Sequence, residues 1–193
     1  MSAKNVFGIV GWKNSGKTTL VEALVAEFVR QGLRVSTIKH AHHEFDIDVP
    51  GKDSHRHRMA GAKQVIVASH ARWALMRELR GEPEPTLDEL LAHLSPCDLV
   101  LVEGFKGGSH PKIEIVRQAR FERRLADRDP MVVAIATNDP RLAAPHPSIP
   151  LDDVKRIAAF ICDFCGIRLV RRVASTATIA SIPAHAIEAE KVG

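Results

Sequence analysis

The sequence predicts an α/β protein with a mostly parallel, twisted sheet flanked by helices. Three observations predict this class: a glycine-rich loop follows the first apolar run, the chain begins in strand–helix–strand order, and further short apolar runs follow. Parallel neighbours need a crossover connection, which is usually a helix, so this alternation is typical of a parallel sheet. The 193 residues suit one such domain, which we place at 1–166, with a C-terminal tail or partner-binding arm at 167–193.

The first βαβ unit is the clearest part of this pattern. Val6–Val10 is a short apolar run typical of a buried strand, and Val35–Ile38 is a second one. Between them, apolar residues recur at the spacing of one helical face, and Gly32 is the expected stop of this helix. The residues of the face are Leu20, Val21, Leu24, Val25, Phe28 and Val29.

The middle of the chain is less regular. His40–Asp53 is rich in His, Asp, Pro and Gly and is predicted to be a loop. Ser54–Ala60 is predicted to form a short helix with Asp53 as its N-cap. Val65–Ala68 and Trp73–Leu79 are predicted to be strands.

The second half is predicted to contain two helices and three strands. Thr86 and Glu89 have the spacing of a capping box, so a helix is expected to begin there and to continue through Leu87, Leu90, Leu91 and Leu94. Leu99–Val102 is predicted to be a central strand. The other expected elements are strands at Ile113–Val116 and Met131–Ala136, and a last helix capped by Asp152 and ended by Gly166.

The composition narrows the classes of partner. The net charge is +4, but aromatic residues make up only 5% and Tyr is absent, which leaves few platforms for stacking bases, so we expect no nucleic-acid partner. No apolar stretch approaches the roughly 20 residues that span a bilayer, and the N-terminal pattern is not that of a signal peptide. With three cysteines and no export signal, the chain is expected to be cytoplasmic, with reduced thiols and no membrane contact.

The loop after the first strand matches the pattern G-x-x-x-x-G-K-[ST] in full. Backbone N–H groups of such a loop point at phosphate oxygens, Lys17 reaches the terminal phosphates, and Thr18 offers a hydroxyl to Mg²⁺. A glycine-rich turn with a lone lysine is the alternative, but the strand before and the helix after favour a P-loop NTPase fold. The predicted phosphate-binding residues are Gly11, Trp12, Lys13, Asn14, Ser15, Gly16, Lys17 and Thr18.

An acid beside the Mg²⁺ is expected at the end of a neighbouring strand. Glu103 follows the carboxyl end of Leu99–Val102, where ligands of α/β sheets bind, whereas Asp98 precedes this strand. We therefore choose Glu103 as the acid that holds the metal or orders water. The alternative is that Glu103 only caps a turn with Gly104.

The loop after the second strand offers further candidates. Asp46 and Asp48 are placed to contact Mg²⁺ directly or through water, and the cations available for phosphates are Lys39, Lys52 and Arg56. A solvated polar loop without a ligand is the alternative. The loop also contains several histidines, so a zinc or nickel site is a further candidate. These histidines include His42, His43, His55 and His57.

Two short motifs near the end of the chain have an ordinary interpretation beside a functional one. Asn138 and Asp139 follow a predicted strand, and an Asp carboxylate there can accept hydrogen bonds from guanine N1–H and N2–H, although Asn-Asp-Pro is also a common turn. Cys162 and Cys165 form a C-x-x-C on a helix. Two thiols are too few for a closed zinc site, so half-buried helix cysteines are the simpler interpretation, with a site shared between two subunits as the other.

Several ordered segments resemble the molybdopterin-guanine dinucleotide biosynthesis protein B (MobB) family of P-loop GTP-binding proteins. The segments are GWKNSGKTTL, TIKHAHH, FDIDVPGKDS, AGA, VASHARWALM and LVEGFK. The resemblance covers residues 6 to about 106, with weaker similarity through Ile149–Phe160. The resemblance implies a dimeric metabolic GTPase that binds GTP and Mg²⁺ and hydrolyses GTP slowly. It implies an accessory role beside the MobA guanylyltransferase, which joins GMP to molybdopterin.

The resemblance also implies roles for particular residues. Gly11–Thr19, which adds Thr19 to the loop, hold phosphates; Asp46 and Asp48 lie near the metal; and Glu103 is the Walker-B-like acid. Our own candidates for the catalytic residues are Lys17 and Glu103. The expected partners are the MobA-type enzyme, molybdopterin or its guanine dinucleotide, and a second copy of the chain.

Three other functions remain open from the sequence. The histidine loop and the C-x-x-C suit a GTPase metallochaperone for nickel or zinc. A small-molecule kinase would need an arginine-rich lid, for which Arg117–Arg128 is the candidate. A scaffold with a vestigial P-loop is the third.

Overall fold

The computed structural model describes residues 5–41, 45–117 and 124–168. The predicted arm at 167–193 therefore lies almost wholly outside the described residues, and so does the pair His42 and His43. The strands are β1 (Val6–Gly11), β2 (Val35–Lys39), β3 (Gln64–Ala68), β4 (Trp73–Arg77), β5 (Leu99–Glu103), β6 (Lys112–Ile115), β7 (Val132–Ala136) and β8 (Ser148–Ile149). The helices are α1 (Lys17–Arg30), α2 (Asp53–Met59), α3 (Leu87–Ala92) and α4 (Val154–Cys165).

Six of these strands form the main sheet, in the order β2-β5-β1-β6-β7-β8. Every pair of neighbours is parallel, which confirms the predicted α/β class. Because parallel strands end at the same edge, the loops that follow β1, β2, β5, β6 and β7 meet at one side of the molecule. β1 lies between β5 and β6, so the loop that follows it stands near the middle of this edge.

The two faces of the sheet are covered differently. On one face, α1 and α4 pack on β1, β5, β6 and β7 in the largest hydrophobic cluster, which includes Phe7, Phe28 and Ile157. On the other face, Val100 and Val102 of β5 meet the apolar residues of α3. All five residues of β5 are therefore buried, as expected for a parallel strand covered on both sides.

The strands β3 and β4 do not join the main sheet. They form a separate antiparallel hairpin, closed by a turn in which Ser69 N–H donates to the Arg72 carbonyl at 2.8 Å. Antiparallel strands can be joined by such a short turn, whereas a parallel crossover needs a dozen or more residues. The sequence correctly predicts these strands, and the short connection explains their separate pairing.

Two predicted helix caps are wrong by one residue. Asp53 is the first residue of α2 and its N-cap is Lys52, while α4 is capped by Asp153, whose side chain accepts from Arg156 N–H. Asp152 instead accepts a 2.8 Å hydrogen bond from the Asn138 side chain. The capping box of α3 and the Gly166 stop of α4 are confirmed. None of the helices in the described ranges is both long and apolar enough to cross a membrane.

The side of β6 away from α1 and α4 carries charged residues. Lys112 is fully buried, and its ammonium group donates to the carbonyls of Lys106 and Gly108 and to the Asp129 carboxylate. Glu114 accepts backbone hydrogen bonds from Leu125 and Ala126, and burial raises the pKa of its carboxyl despite these bonds. Loops rather than a helix cover this part of the sheet, and the two charged side chains hold the loops in place.

A buried histidine lies beside this network. His110 packs so closely on β1 that a Cβ at Gly8 would lie 2.6 Å from its Nε2 atom. Neither ring nitrogen has a hydrogen-bond partner within the described ranges. Burial, followed by the nearby Lys112 charge, lowers the pKa of His110 to about 4, while the Asp129 carboxylate acts in the opposite direction. The ring is therefore held neutral in the folded chain at neutral pH.

This histidine is expected to make the fold less stable in mild acid. Between about pH 6.5 and pH 4 the unfolded histidine takes up a proton and the folded one does not, so stability falls as the pH falls. The free energy of unfolding should drop by about 2–3 kcal/mol across this window. Urea unfolding at several pH values measures this loss, and His110→Leu should remove most of it. An equal loss in both proteins would contradict the assignment.

Candidate nucleotide-binding site

The loop between β1 and α1 has the backbone of an anion-binding turn. Gly16 is the N-cap of α1 with a φ of 98°, a left-handed conformation that suits glycine, and Asn14 is also left-handed. A side chain at position 16 would also crowd the Arg117 guanidinium, since its Cβ would lie 3.3 Å from Nη2. No side-chain cap is found at this helix start within the described part of the chain, which leaves its first amides for an anion.

Lys17 folds back over this loop. Its ammonium group donates a 2.9 Å hydrogen bond to the Trp12 carbonyl, and Ser15 N–H donates to the same carbonyl at 3.1 Å. The buried Ser15 hydroxyl has no hydrogen-bond partner among the residues described. Buried polar groups are normally satisfied, so this hydroxyl fits a bound phosphate oxygen. Lys13 and Thr19 are exposed on the loop and on the first turn of α1.

Thr18 meets Glu103 across the sheet edge. The Thr18 hydroxyl donates a 2.8 Å hydrogen bond to Oε1 of the carboxylate, although the two residues are 85 positions apart in the chain. Lys39, the last residue of β2, places its ammonium group 3.4 Å from the Thr18 oxygen and 3.5 Å from Glu103 Oε1. The Lys39 ammonium thus lies beside two oxygen atoms of the kind that Mg²⁺ prefers. These are the oxygens of Thr18 and Glu103, the two residues predicted to hold Mg²⁺.

The charge of this site is positive. Burial lowers the pKa of Lys17, the charges of Lys106 and Lys39 lower it further, and the Glu103 carboxylate opposes them. Three ammonium groups therefore surround one carboxylate. An anionic ligand would relieve their mutual repulsion, which is the electrostatic pattern of a polyphosphate site.

Two cations fix the loop from its sides. The Lys106 ammonium lies 4.3 Å from the centre of the Trp12 ring, and Arg117 donates through Nε to the Ser15 carbonyl at 2.9 Å. The sequence did not single out Lys106 as a site residue, and it assigned Arg117 only to a possible lid. The remainder of that proposed lid includes residues 118–123, which lie outside the described ranges. In the sequence, the only indication that Lys106 lies near the phosphate loop is its position shortly after Glu103-Gly104.

The structure gives Asp46 and Asp48 local partners. Both carboxylates accept hydrogen bonds from Arg58 of α2, at 2.8 and 3.1 Å, and Asp48 also accepts from the Ser54 hydroxyl. The pKa of the Asp46 carboxyl is lowered first by a hydrogen bond from the Asp48 backbone N–H and then by Arg58. The pKa of the Asp48 carboxyl is lowered first by the Ser54 hydroxyl, with Arg58 acting in the same direction. The Arg58 guanidinium also reaches Glu78 of the following segment. The two aspartates thus organise the loop around α2, and contact with Mg²⁺ stays a prediction for them.

Asn138 and Asp139 follow β7 at the same edge of the sheet as the loop. The Asn138 side chain bonds to Asp152 and to Leu151 N–H, so it joins this edge to the segment before α4. Asp139 caps the short 3-10 helix Pro140–Leu142 and pairs with Arg141. Both residues have a structural use, and guanine recognition by them stays a prediction.

The residues proposed for transition metals do not converge in the part of the chain that is described. No group of three or more His, Cys, Asp or Glu side chains is arranged there to hold a metal ion. Cys162 is buried and Cys165 half-buried, and burial raises the pKa of both thiols. His42 and His43 lie outside the described ranges.

Comparisons with known proteins agree with this geometry. The sequence profile of the family described as molybdopterin guanine dinucleotide synthesis protein B matches residues 6–138. The chain is 43% identical over 159 residues to the molybdopterin-guanine dinucleotide biosynthesis adapter protein of Haemophilus influenzae, covering 81% of this chain and 86% of that protein. It is 40% identical over 164 residues to the protein of the same name from Escherichia coli (strain K12), covering 82% and 92% respectively.

The fold agrees as well. The crystal structure of a MobB protein homolog from Bacillus stearothermophilus aligns with a TM-score of 0.65 at 32% identity, covering 85% of this chain and 99% of that one. The similarity therefore extends from the sequence to the fold. On this evidence the chain belongs to the MobB family, the adapter proteins of molybdopterin-guanine dinucleotide biosynthesis.

Proposed function

We propose that this chain binds GTP and Mg²⁺ at Gly11–Thr19, hydrolyses GTP slowly, and serves as an adapter to a MobA-type guanylyltransferase in the cytoplasm. The observation that carries the proposal is the contact of the Thr18 hydroxyl with Glu103 at 2.8 Å, beside the Lys39 ammonium. This arrangement brings together two oxygen ligands, a cation and a helix start without a side-chain cap, as a magnesium–nucleotide site requires.

Each side chain has a distinct part in binding and hydrolysis. Lys17 and the loop amides neutralise the phosphates, and Thr18 and Glu103 would hold Mg²⁺, which would neutralise charge on the terminal phosphates when bound. Glu103 would also order the water that attacks the γ-phosphate in line. Among the described residues, Arg117 hydrogen-bonds to the loop, and it does so through the Ser15 carbonyl rather than towards the phosphates. We expect a slow intrinsic rate unless a partner or a second subunit supplies an arginine finger, which would stabilise the charge that develops on the phosphate.

The strand order supports GTP as the nucleotide. β5, with its acid, lies on one side of β1, and β6 and β7 lie on the other. A nucleotide whose terminal phosphates face Glu103 would therefore extend its base towards β7, where Asn138 and Asp139 follow the strand. The Asp139 carboxylate offers the acceptor pair that guanine matches and adenine does not.

The hairpin β3–β4 supports the proposal of a homodimer. It pairs apart from the main sheet, and two of its large apolar side chains are exposed, since Trp73 is 66% and Ile66 65% accessible. Exposed apolar surface of this kind marks protein–protein contacts. A second copy of the chain is the occupant that the family resemblance implies.

Mg²⁺-dependent GTP hydrolysis tests the proposal. Wild-type protein should bind GTP more tightly than ATP in competition and release phosphate slowly, and removing Mg²⁺ with EDTA should stop release. Glu103→Gln should raise the Mg²⁺ concentration needed for half-maximal hydrolysis by about tenfold or more, because one charged oxygen ligand is lost.

Asp98→Asn is the matched control. Asp98 lies at the opposite end of β5, where its carboxylate pairs with Arg34 at 2.8 Å, so the same chemical change should leave the Mg²⁺ dependence unaltered. Equal effects of both substitutions, or hydrolysis that continues without Mg²⁺, would count against the proposed site.

A further inference from the structure

Arg117 reaches one particular peptide unit of the phosphate loop. Its Nε–H donates a 2.9 Å hydrogen bond to the Ser15 carbonyl, although the two residues are 102 positions apart in the chain. A Cβ on Gly16 would lie 3.3 Å from Nη2 of the same guanidinium. The guanidinium therefore lies against the peptide that joins Ser15 to Gly16, and the missing side chain of the glycine makes this close approach possible.

The main chain that carries Arg117 is held by both neighbouring strands. β6 pairs with β1 up to the register of Gly11 with Ile115. The next residue, Val116, is buried, and its backbone N–H donates to the Ala136 carbonyl of β7 at 3.1 Å. Arg117 thus leaves the carboxyl edge of the sheet directly beside the loop that begins at Gly11. A side chain on such a rigid element can hold its partner in one geometry.

The hydrogen bond to Ser15 also sets the direction of an amide. The peptide between Ser15 and Gly16 is trans, and the C=O and N–H groups of a planar trans peptide point in opposite directions. Because the Ser15 carbonyl is turned towards Arg117, the Gly16 N–H points to the opposite side of the loop. Gly16 is the N-cap of α1, and the amides of a helix start are the groups that bind an anion.

Fixing this peptide before the ligand arrives favours binding. Gly16 has a φ of 98°, and a glycine loses more conformational freedom than any other residue when its backbone is ordered. A contact that orders the loop in the free chain removes this entropic cost from the binding step. If the peptide were reversed, its carbonyl oxygen would face the phosphate instead of the N–H, and the two negative groups would repel each other.

We propose that Arg117 is a positioning residue of the phosphate site, which aims the Gly16 N–H at a bound phosphate by holding the Ser15 carbonyl. The inference rests on the proposed function and adds a residue that acts through the backbone of the loop, without touching the nucleotide. Its contribution is therefore to the binding of any ligand with two or more linked phosphates. The hydrolysis step itself does not depend on it.

Titration of the full chain with pyrophosphate, GDP and GTP at constant Mg²⁺ tests this inference. Arg117→Ala should weaken the binding of all three ligands by about tenfold, because the ligand must then order the loop. Phosphate release at saturating GTP should change by less than about twofold, since the effect is on binding alone. Arg128→Ala, which removes the same charge from an exposed position, should alter neither affinity nor rate.

Two further substitutions separate the hydrogen bond from the charge of Arg117. Arg117→Gln places an uncharged amide N–H where the arginine has Nε, so it should recover part of the lost affinity. Arg117→Lys keeps the charge but places a methylene group at that position, so it should recover less. A greater recovery with Arg117→Lys than with Arg117→Gln would overturn the inference, because the charge and not the hydrogen bond would then be the cause.

The other outcomes separate this inference from the nucleotide proposal. Equal affinities of wild type and Arg117→Ala for all three ligands would overturn the positioning role. Slower phosphate release at saturating GTP with unchanged affinity would also overturn it, since Arg117 would then act on the γ-phosphate. If pyrophosphate and ATP bound with the same dependence on Arg117 but GTP were not preferred, only the choice of GTP would be refuted. A wild-type chain that bound none of these ligands would contradict both proposals.

Discussion

Lys17→Ala is expected to lower the affinity of the chain for GTP by about a hundredfold or more. The substitution removes the ammonium group that spans the loop to the Trp12 carbonyl, and with it a positive charge that is proposed to bind the terminal phosphates. A charge-assisted bond in a half-buried site is stronger than one in water, since less solvent screens it. Isothermal titration with GTP at constant Mg²⁺ measures the change.

Lys155→Ala is the control for this prediction. Lys155 is an exposed residue of α4 that interacts with Glu27, and Glu27 is about 15 Å from Lys17 along the axis of α1. Like Lys17→Ala, the Lys155→Ala substitution removes one positive charge from the protein, but it should leave GTP affinity unchanged. If Lys17→Ala bound GTP as tightly as the wild type, the phosphate-loop interpretation would have to be abandoned.

Lys112→Met is expected to lower the free energy of unfolding by about 3 kcal/mol or more. The new side chain fills similar space but leaves the Asp129 carboxylate and two carbonyls of the Phe105–Gly108 turn without the buried ammonium. Removing one partner of a buried ion pair costs more than the pair itself contributes, because a desolvated charge is left alone. Urea unfolding at neutral pH measures the loss.

The double variant Lys112→Met/Asp129→Leu distinguishes a lost ion pair from poor packing. Removing both charges should restore part of the stability, since no uncompensated carboxylate remains. Lys155→Met, at an exposed site, should change stability by less than about 0.5 kcal/mol. A loss below about 1 kcal/mol for Lys112→Met, or no recovery in the double variant, would show that the pair does not hold the turn.

Most of the architecture follows from local patterns. The apolar runs, the spacing of Leu20 and Leu24, and the capping box at Thr86 each depend on residues a few positions apart, and the structure confirms them. The cap errors at Asp53 and Asp152 have the same origin. Asp152 neighbours Asp153, which caps α4, whereas α2 begins after Lys52, an N-cap without a side-chain hydrogen bond. Both outcomes depend on backbone angles that the sequence does not determine.

The parts that were not predicted depend on contacts between distant segments. The sequence indicated that Thr18 and Glu103 would face the same metal, but the approach of Lys39 to both requires the register of β2 on β5. The partners of Asp46 and Asp48 could not be predicted because Arg58 reaches them only when α2 folds over the loop. The burial of Lys112 could not be predicted from the sequence, because a lysine at the start of a strand is usually exposed.

The amino and carboxyl edges of the main sheet differ in what their side chains do. At the amino edge, the Asp98 carboxylate accepts hydrogen bonds from the backbone N–H and the guanidinium of Arg34. The backbone carbonyl of Asp98 accepts a further bond from the Asn5 side chain. These bonds tie the beginnings of β1, β2 and β5 together far from the loop that carries Lys17. The amino edge is thus the place to attach a dye, an affinity tag or a surface for immobilisation, because a reporter there lies at the end of the sheet opposite the proposed nucleotide site.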